Sequence, residues 1–155
     1  MTSQQSLNDA LFQAVRRGSL TDIESLLDRH ADVNAVGRDK NTPLHVACSN
    51  GRHQCVKLLL DRRAATNTGH DKNTPLHLAS LRGHPSCINL LLDRQADIHA
   101  LDANNCTPLH VASWNGRHQS VELLLDRNAD IHSCGYNGKS SLHLASMNGH
   151  RECVE

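Results

Sequence analysis

Aromatic side chains are almost missing from this sequence: Phe12, Trp114 and Tyr136 are the only three among 155 residues. That scarcity argues against an aromatic-packed sandwich or a haem pocket. The apolar fraction, 38%, rests on Leu, Ala, Val and Ile instead. No excess of either charge is present, because 16 Lys and Arg face 16 Asp and Glu. Nucleic-acid binders draw much of their affinity from neutralised phosphates, and anionic bilayers recruit basic clusters, so neither partner is expected. The 12 His would add positive charge only below about pH 6.5. No apolar run approaches the ~20 residues of a membrane-spanning helix. The opening Met-Thr-Ser-Gln-Gln-Ser lacks the charged head and apolar stretch of a secretory signal. On that reading the six Cys are reduced thiols of an intracellular protein, expected in the cytoplasm with the nucleus also open. The length suits one domain, which would hide roughly two-thirds of its unfolded surface.

What is abundant is internal repetition. Gly18, Gly51, Gly83, Gly116 and Gly149 recur at steps of 33, 32, 33 and 33 residues. Leu11, Leu44, Leu76, Leu109 and Leu142 keep the same phase, and so do Ala14, Ala47, Ala79, Ala112 and Ala145. Leu runs at 58–60, 90–92 and 123–125 are followed by Asp-Arg pairs, as Leu26-Leu27 is by Asp28-Arg29. Each unit predicts two short helices and a hairpin. Thr42-Pro43, Thr74-Pro75 and Thr107-Pro108 supply an N-cap followed by a proline in the first helical position, where its missing N–H costs nothing. The recurring Gly suits a left-handed helix stop. Helices of about ten residues are unstable alone in water, so units must stack into a solenoid with a continuous strip of small aliphatic side chains.

Thr42-Pro43-Leu44-His45-Val46-Ala47, Thr74-Pro75-Leu76-His77-Leu78-Ala79 and Thr107-Pro108-Leu109-His110-Val111-Ala112 resemble the signature of ankyrin repeats, and Leu27 to Ala35 resembles that family's second-helix exit. The resemblance covers residues ~6 to 155. It implies an all-α ankyrin-repeat solenoid of helix-turn-helix units joined by hairpin loops, with about four full repeats and a truncated fifth. The expected boundaries are a flexible N-terminus at 1–5, a capping repeat at 6–36, repeats at 37–68, 69–101 and 102–134, and a partial repeat at 135–155. The cap replaces the signature with Asp9-Ala10-Leu11-Phe12. The hairpin between units two and three is one residue short, so its tip is expected to be displaced. Val154-Glu155 aligns with Val121-Glu122, inside a second helix. The expectation is therefore an uncovered apolar side on units four and five, and a native chain that continues or a last unit that frays.

Catalytic and metal chemistry find little support. His45, His77, His110 and His143 share one slot, and equivalent residues in stacked helices lie ~10 Å apart. Zinc ligands all sit ~2 Å from one ion, so these His are expected to hydrogen-bond the helix start and a nearby loop. His53, His84, His118 and His150 are expected to face solvent. Cys48, Cys55, Cys87 and Cys153 occupy small-residue packing slots, while Cys106 and Cys134 are expected in exposed hairpins. No metal, cofactor or catalytic residue is assigned, and no enzyme activity is expected. The Asp-Arg pairs are expected to form a solvated ladder worth ~0–1 kcal/mol per pair. The family resemblance also implies asparaginyl hydroxylation at Asn34 and Asn67, each preceded by Leu at seven residues (Leu27 and Leu60); the plainer reading is an Asn bonding its own turn.

Function is sought where the repeat rule breaks. In the resembled family, partners dock on a concave face of hairpin tips and first-helix ends. The variable slots there include Arg38 and Asp39, the pair Leu81-Arg82, Leu101, the pair Trp114-Asn115, Tyr136 and Met147, with His70 and Asp71 in the shortened hairpin. Leu81, Leu101, Trp114, Tyr136 and Met147 are expected to form one apolar-aromatic patch, the residue types that mark binding surfaces. None of the three aromatics is expected in the repeating core. The reading is a monomeric, non-enzymatic scaffold for a partner protein. The alternative is the targeting arm of a larger enzyme or ubiquitin-ligase adaptor extending past Glu155.

Overall fold

A computed structural model describes residues 3–69 and 72–154. Among them are nine α-helices and no strand: α1 Ser3–Arg17, α2 Leu20–Asp28, α3 Pro43–Ser49, α4 His53–Asp61, α5 Pro75–Arg82, α6 Pro85–Asp93, α7 Pro108–Trp114, α8 His118–Asp126 and α9 Ser141–Met147. The displaced tip expected for the shortened hairpin falls on His70 and Asp71, which lie outside the described residues. Helix α1 begins at Ser3, so residues 3–5 extend the cap instead of forming a flexible lead, and the Gln4 amide donates to the His30 carbonyl at 3.0 Å.

The helices form two layers. α1, α3, α5, α7 and α9 stack consecutively in one, and α2, α4, α6 and α8 in the other. Helices of seven to nine residues hold because their small apolar faces meet this way. Leu11, Leu44, Leu76 and Leu109 are no more than 1% exposed, and Ala14, Ala47, Ala79, Ala112 and Ala145 are fully buried. Burying each such Leu contributes roughly 1.5–3 kcal/mol. The fifth unit differs as its sequence implies. Leu142 is 47% exposed, and a 3-10 turn at Arg151–Cys153 stands against α8 and α9 where the other units place a second helix.

Neighbouring units are tied by polar ladders. In the first, Nδ1 of His45 accepts from the Thr42 N–H at 3.1 Å, and Nε2–H donates to the Asn73 carbonyl of the next hairpin at 3.1 Å. His77 and His110 repeat the arrangement, reaching Cys106 O at 3.0 Å and Ser133 O at 3.1 Å. This network fixes the neutral Nε2–H tautomer. Burial pushes all three rings below the usual His range, while the accepted carbonyl bonds work in the opposite direction. In the second ladder, Arg62, Arg94 and Arg127 each pair with the preceding unit's Asp28, Asp61 and Asp93, at 2.8 Å for the first and last. All six groups are substantially solvated, as expected.

Several expectations are corrected here. His84 and His150 do not simply face solvent. They cover Gly51 and Gly116, as Arg52 and Arg117 cover Gly18 and Gly83. His150 also donates through Nε2 to the Trp114 carbonyl at 2.9 Å. Gly116 has φ +64°, and a Cβ there would lie 2.5 Å from the His150 ring, so both backbone and space require glycine. Phe12 is only 6% exposed and belongs to the core: it takes the slot that His45 fills one unit later, and its ring meets the hairpin at Gly37. Asn34 and Asn67 accept not from their own turns but from the next unit's backbone, at Ala65 N (2.9 Å) and Asp97 N (2.8 Å).

Candidate interaction surface

The hairpin of unit four closes through Asp102 N–H to the Cys106 carbonyl at 2.9 Å and Asn105 N–H to the Asp102 carbonyl at 3.1 Å, with Asn105 in the left-handed region at φ +58°. Oδ1 of Asp102 accepts from the N–H groups of Asn104 and Cys106, both at 2.8 Å. This pulls Cys106 inward. It is 8% exposed, and burial raises its thiol pKa, so the expected exposed cysteine is a buried one. Cys134 is exposed as expected.

Beside this hairpin, α7 ends on Trp114. The Asn115 amide donates to the Val111 carbonyl at 2.8 Å, as Asn50 and Asn148 do at the ends of α3 and α9, so its N–H is committed to the helix terminus. Trp114 is the last residue of that helix and remains 43% exposed. The next hairpin turns through a short 3-10 segment, Tyr136–Gly138, whose phenol ring is 44% exposed. Together these elements enclose an open depression of about 350 Å³. Trp114, Tyr136, Val111 and Leu144 form much of its wall, with Asp102, Asn104, Cys106, His110 and Asn115.

The structure brings together only part of the expected patch. Trp114, Asn115 and Tyr136 share the depression. Leu81, half-buried at the end of α5, does not line it, nor do the exposed Arg82, Leu101 and Met147, the last two 46% and 59% exposed. Arg38 and Asp39 line a separate depression of about 440 Å³ with Asp9, Phe12, Gln13, Arg16 and Gly37. There, hydrogen bonding from Asn41 lowers the Asp39 pKa against the effect of burial, and Arg16 adds to the lowering. The residue that sequence reasoning missed is Asp102, 7% exposed. A signal existed: units two and five place Gly37 and Gly135 in that hairpin slot, and unit four alone of these three places a carboxylate there.

The helices, their caps and the hairpins can be set beside known proteins. A family model described as ankyrin repeats matches three times, at residues 11–102, 66–134 and 95–155. Over 68 residues the chain is 38% identical to a Transient receptor potential cation channel subfamily A member 1 homolog of Caenorhabditis elegans, covering 43% of this chain and 6% of the relative. The same identity and length apply to Oxysterol-binding protein-related protein 1 of Homo sapiens, covering 43% of this chain and 7% of the relative. A probable E3 ubiquitin-protein ligase, XBOS31 of Oryza sativa subsp. japonica, is 45% identical over 51 residues, 33% of this chain and 11% of the relative. The matched stretches thus span about a tenth or less of these relatives' lengths. No helix among the described residues is long and apolar enough to cross a membrane.

Proposed function

The chain belongs to the ankyrin-repeat family, whose repeats are protein–protein interaction modules, and on that premise we propose that it is a non-enzymatic scaffold. It holds a partner protein on the face where the first-helix ends meet the hairpins of units four and five. One observation carries the reading: two of the three aromatics, Trp114 and Tyr136, stand more than 40% exposed around one depression, while the repeating slots behind them are aliphatic and closed. Packing does not require an indole at a helix end, and Trp and Tyr are the side chains that concentrate binding energy at interfaces. Affinity capture with wild-type and Trp114→Ala protein, read by mass spectrometry, tests this. A partner retained by wild type and depleted with the variant is expected. Capture profiles that are indistinguishable would overturn the reading.

A second reading makes the same surface the targeting arm of a larger protein. It is favoured by the small share of each relative that the match covers, and by one relative being a probable E3 ubiquitin-protein ligase. The open reading frame beyond Glu155 separates the two: a further catalytic or recruiting domain supports the arm, and a stop codon after one more capped repeat excludes it.

A further inference from the structure

Resting on the interaction reading above, we propose that the partner presents an extended acidic segment to the groove between first helices and hairpins. Its carboxylates meet Arg16 and Arg38 at one end, and an apolar side chain of the same segment meets Trp114 and Tyr136 at the other. The two depressions are one place in the repeat, occupied twice. Phe12 and His110, Gln13 and Val111, Arg16 and Trp114, and Arg38 and Tyr136 line them as pairs, and the members of each pair hold the same position three units apart. Packed helices stand ~10 Å apart, so the two ends lie ~30 Å from each other. An extended chain rising ~3.3 Å per residue covers that distance in roughly nine residues.

The chemistry changes along this track. On the second helices, Asp28, Asp61 and Asp93 are taken by Arg62, Arg94 and Arg127. Arg16 and Arg38, by contrast, are exposed and, among the described residues, form no ion pair. The two carboxylates that line the same depression are otherwise engaged: Oδ1 of Asp39 accepts from the Asn41 N–H at 3.3 Å, and Oδ1 of Asp9 accepts from the Gln5 amide at 3.0 Å. Lys72 in the next hairpin and Arg82 at the end of α5 are exposed too, and likewise have no ion pair among the described residues, so cations outnumber carboxylates over this end. Between the ends, the position of Arg16 and Trp114 is filled by Ser49 and Leu81, both uncharged. Guanidinium forks match carboxylates bidentately, and Arg, Trp and Tyr concentrate binding energy at interfaces. A nucleic acid would be held by cations tracking its backbone along the whole groove, whereas the far end here is walled by Trp114, Val111 and Leu144.

Selection from a random library of peptides of about 16 residues, long enough to span both ends, tests the proposal, with counter-screens on Trp114→Ala and on the double variant Arg16→Gln/Arg38→Gln. Peptides lost on Trp114→Ala are expected to be enriched in Asp or Glu roughly nine residues from an aromatic or aliphatic position. Synthesised and titrated by fluorescence polarisation, they should bind the double variant at least tenfold more weakly, with its melting temperature unchanged. On wild type, raising salt from about 0.05 to about 0.5 M should weaken them at least tenfold, and this measurement decides the matter if the double variant does not fold. Trp114-dependent peptides without acidic enrichment, or bound equally by the double variant, would overturn the acidic segment and leave the surface standing. Single-stranded oligothymidylate bound more tightly than the selected peptides would overturn the choice of a peptide. Peptides indifferent to Trp114→Ala, or no peptides at all, would refute the surface itself and this proposal with it.

Discussion

Replacing His77 by Leu removes one rung of the histidine ladder, and its cost can be worked from the bonds it breaks. Nδ1 of His77 accepts from the Thr74 N–H at 3.2 Å and the Thr74 hydroxyl at 2.9 Å, and Nε2–H donates to the Cys106 carbonyl at 3.0 Å. That carbonyl keeps the Asp102 N–H, and the Thr74 hydroxyl keeps the N–H of residue 77. The Thr74 N–H is left without a partner in a residue only 6% exposed. One orphaned donor costs about 1–3 kcal/mol, and the lost inter-unit bond adds about 1, so His77→Leu should destabilise by roughly 2–4 kcal/mol. His143 provides the internal control. It caps Ser140 in the same way, but it is exposed, and among the described residues no carbonyl bonds its ring. His143→Leu should therefore cost less than about 1 kcal/mol. Urea unfolding followed by circular dichroism at pH 7.5 measures both. The pH dependence adds a second check. Burial lowers the folded-state pKa of His45, His77 and His110 below the ordinary 6.5. The unfolded chain then binds more protons, so the stabilisation is present above pH 6.5 and lost as pH falls through the folded values. Wild type should lose stability between pH 7.5 and 5.5, and His77→Leu should lose less over that interval. Equal costs for the two substitutions, or pH slopes that coincide, would refute the argument.

Two further substitutions test the packing. Gly69→Ala should destabilise by roughly 1–3 kcal/mol, because its Cβ would lie 2.0 Å from the Asn73 carbonyl in the shortened hairpin and backbone must move; a melting temperature equal to wild type would refute that close approach. Ser80→Ala should be neutral or stabilising by up to about 1 kcal/mol, since the Ser80 hydroxyl is fully buried with no hydrogen-bond partner among the described residues; a loss above about 1 kcal/mol in urea unfolding would reveal a partner for that hydroxyl.

The repeat period made most of the fold legible. Thr-Pro pairs marked first-helix starts, Gly marked their ends, and the Leu and Ala phase marked the buried strip. What the period hides is which side chain crosses into the neighbouring unit. Spacing within a unit says nothing of an Asn34 oxygen reaching Ala65, a His150 ring covering Gly116, or Phe12 filling a histidine's place against Gly37. Each is a contact between units, set by how the layers superpose. The same limit governs the surface. Trp114 and Tyr136 stood out because aromatics are rare here, and both line the depression. Leu81, Leu101 and Met147 shared their chemistry but not their place, since none of them lines that depression. Asp102 escaped notice because an acidic residue in a turn reads as a turn former, and its Oδ1 does accept from two N–H groups of that turn.

The most direct test of the central claim is a calorimetric titration of the captured partner into wild-type and Trp114→Ala protein, with the melting temperature of each recorded in parallel. The account predicts that the variant loses more than about 1 kcal/mol of binding, roughly fivefold in Kd, while its melting temperature stays within a few degrees of wild type. An unchanged Kd together with a large fall in melting temperature would contradict it and make Trp114 a structural residue.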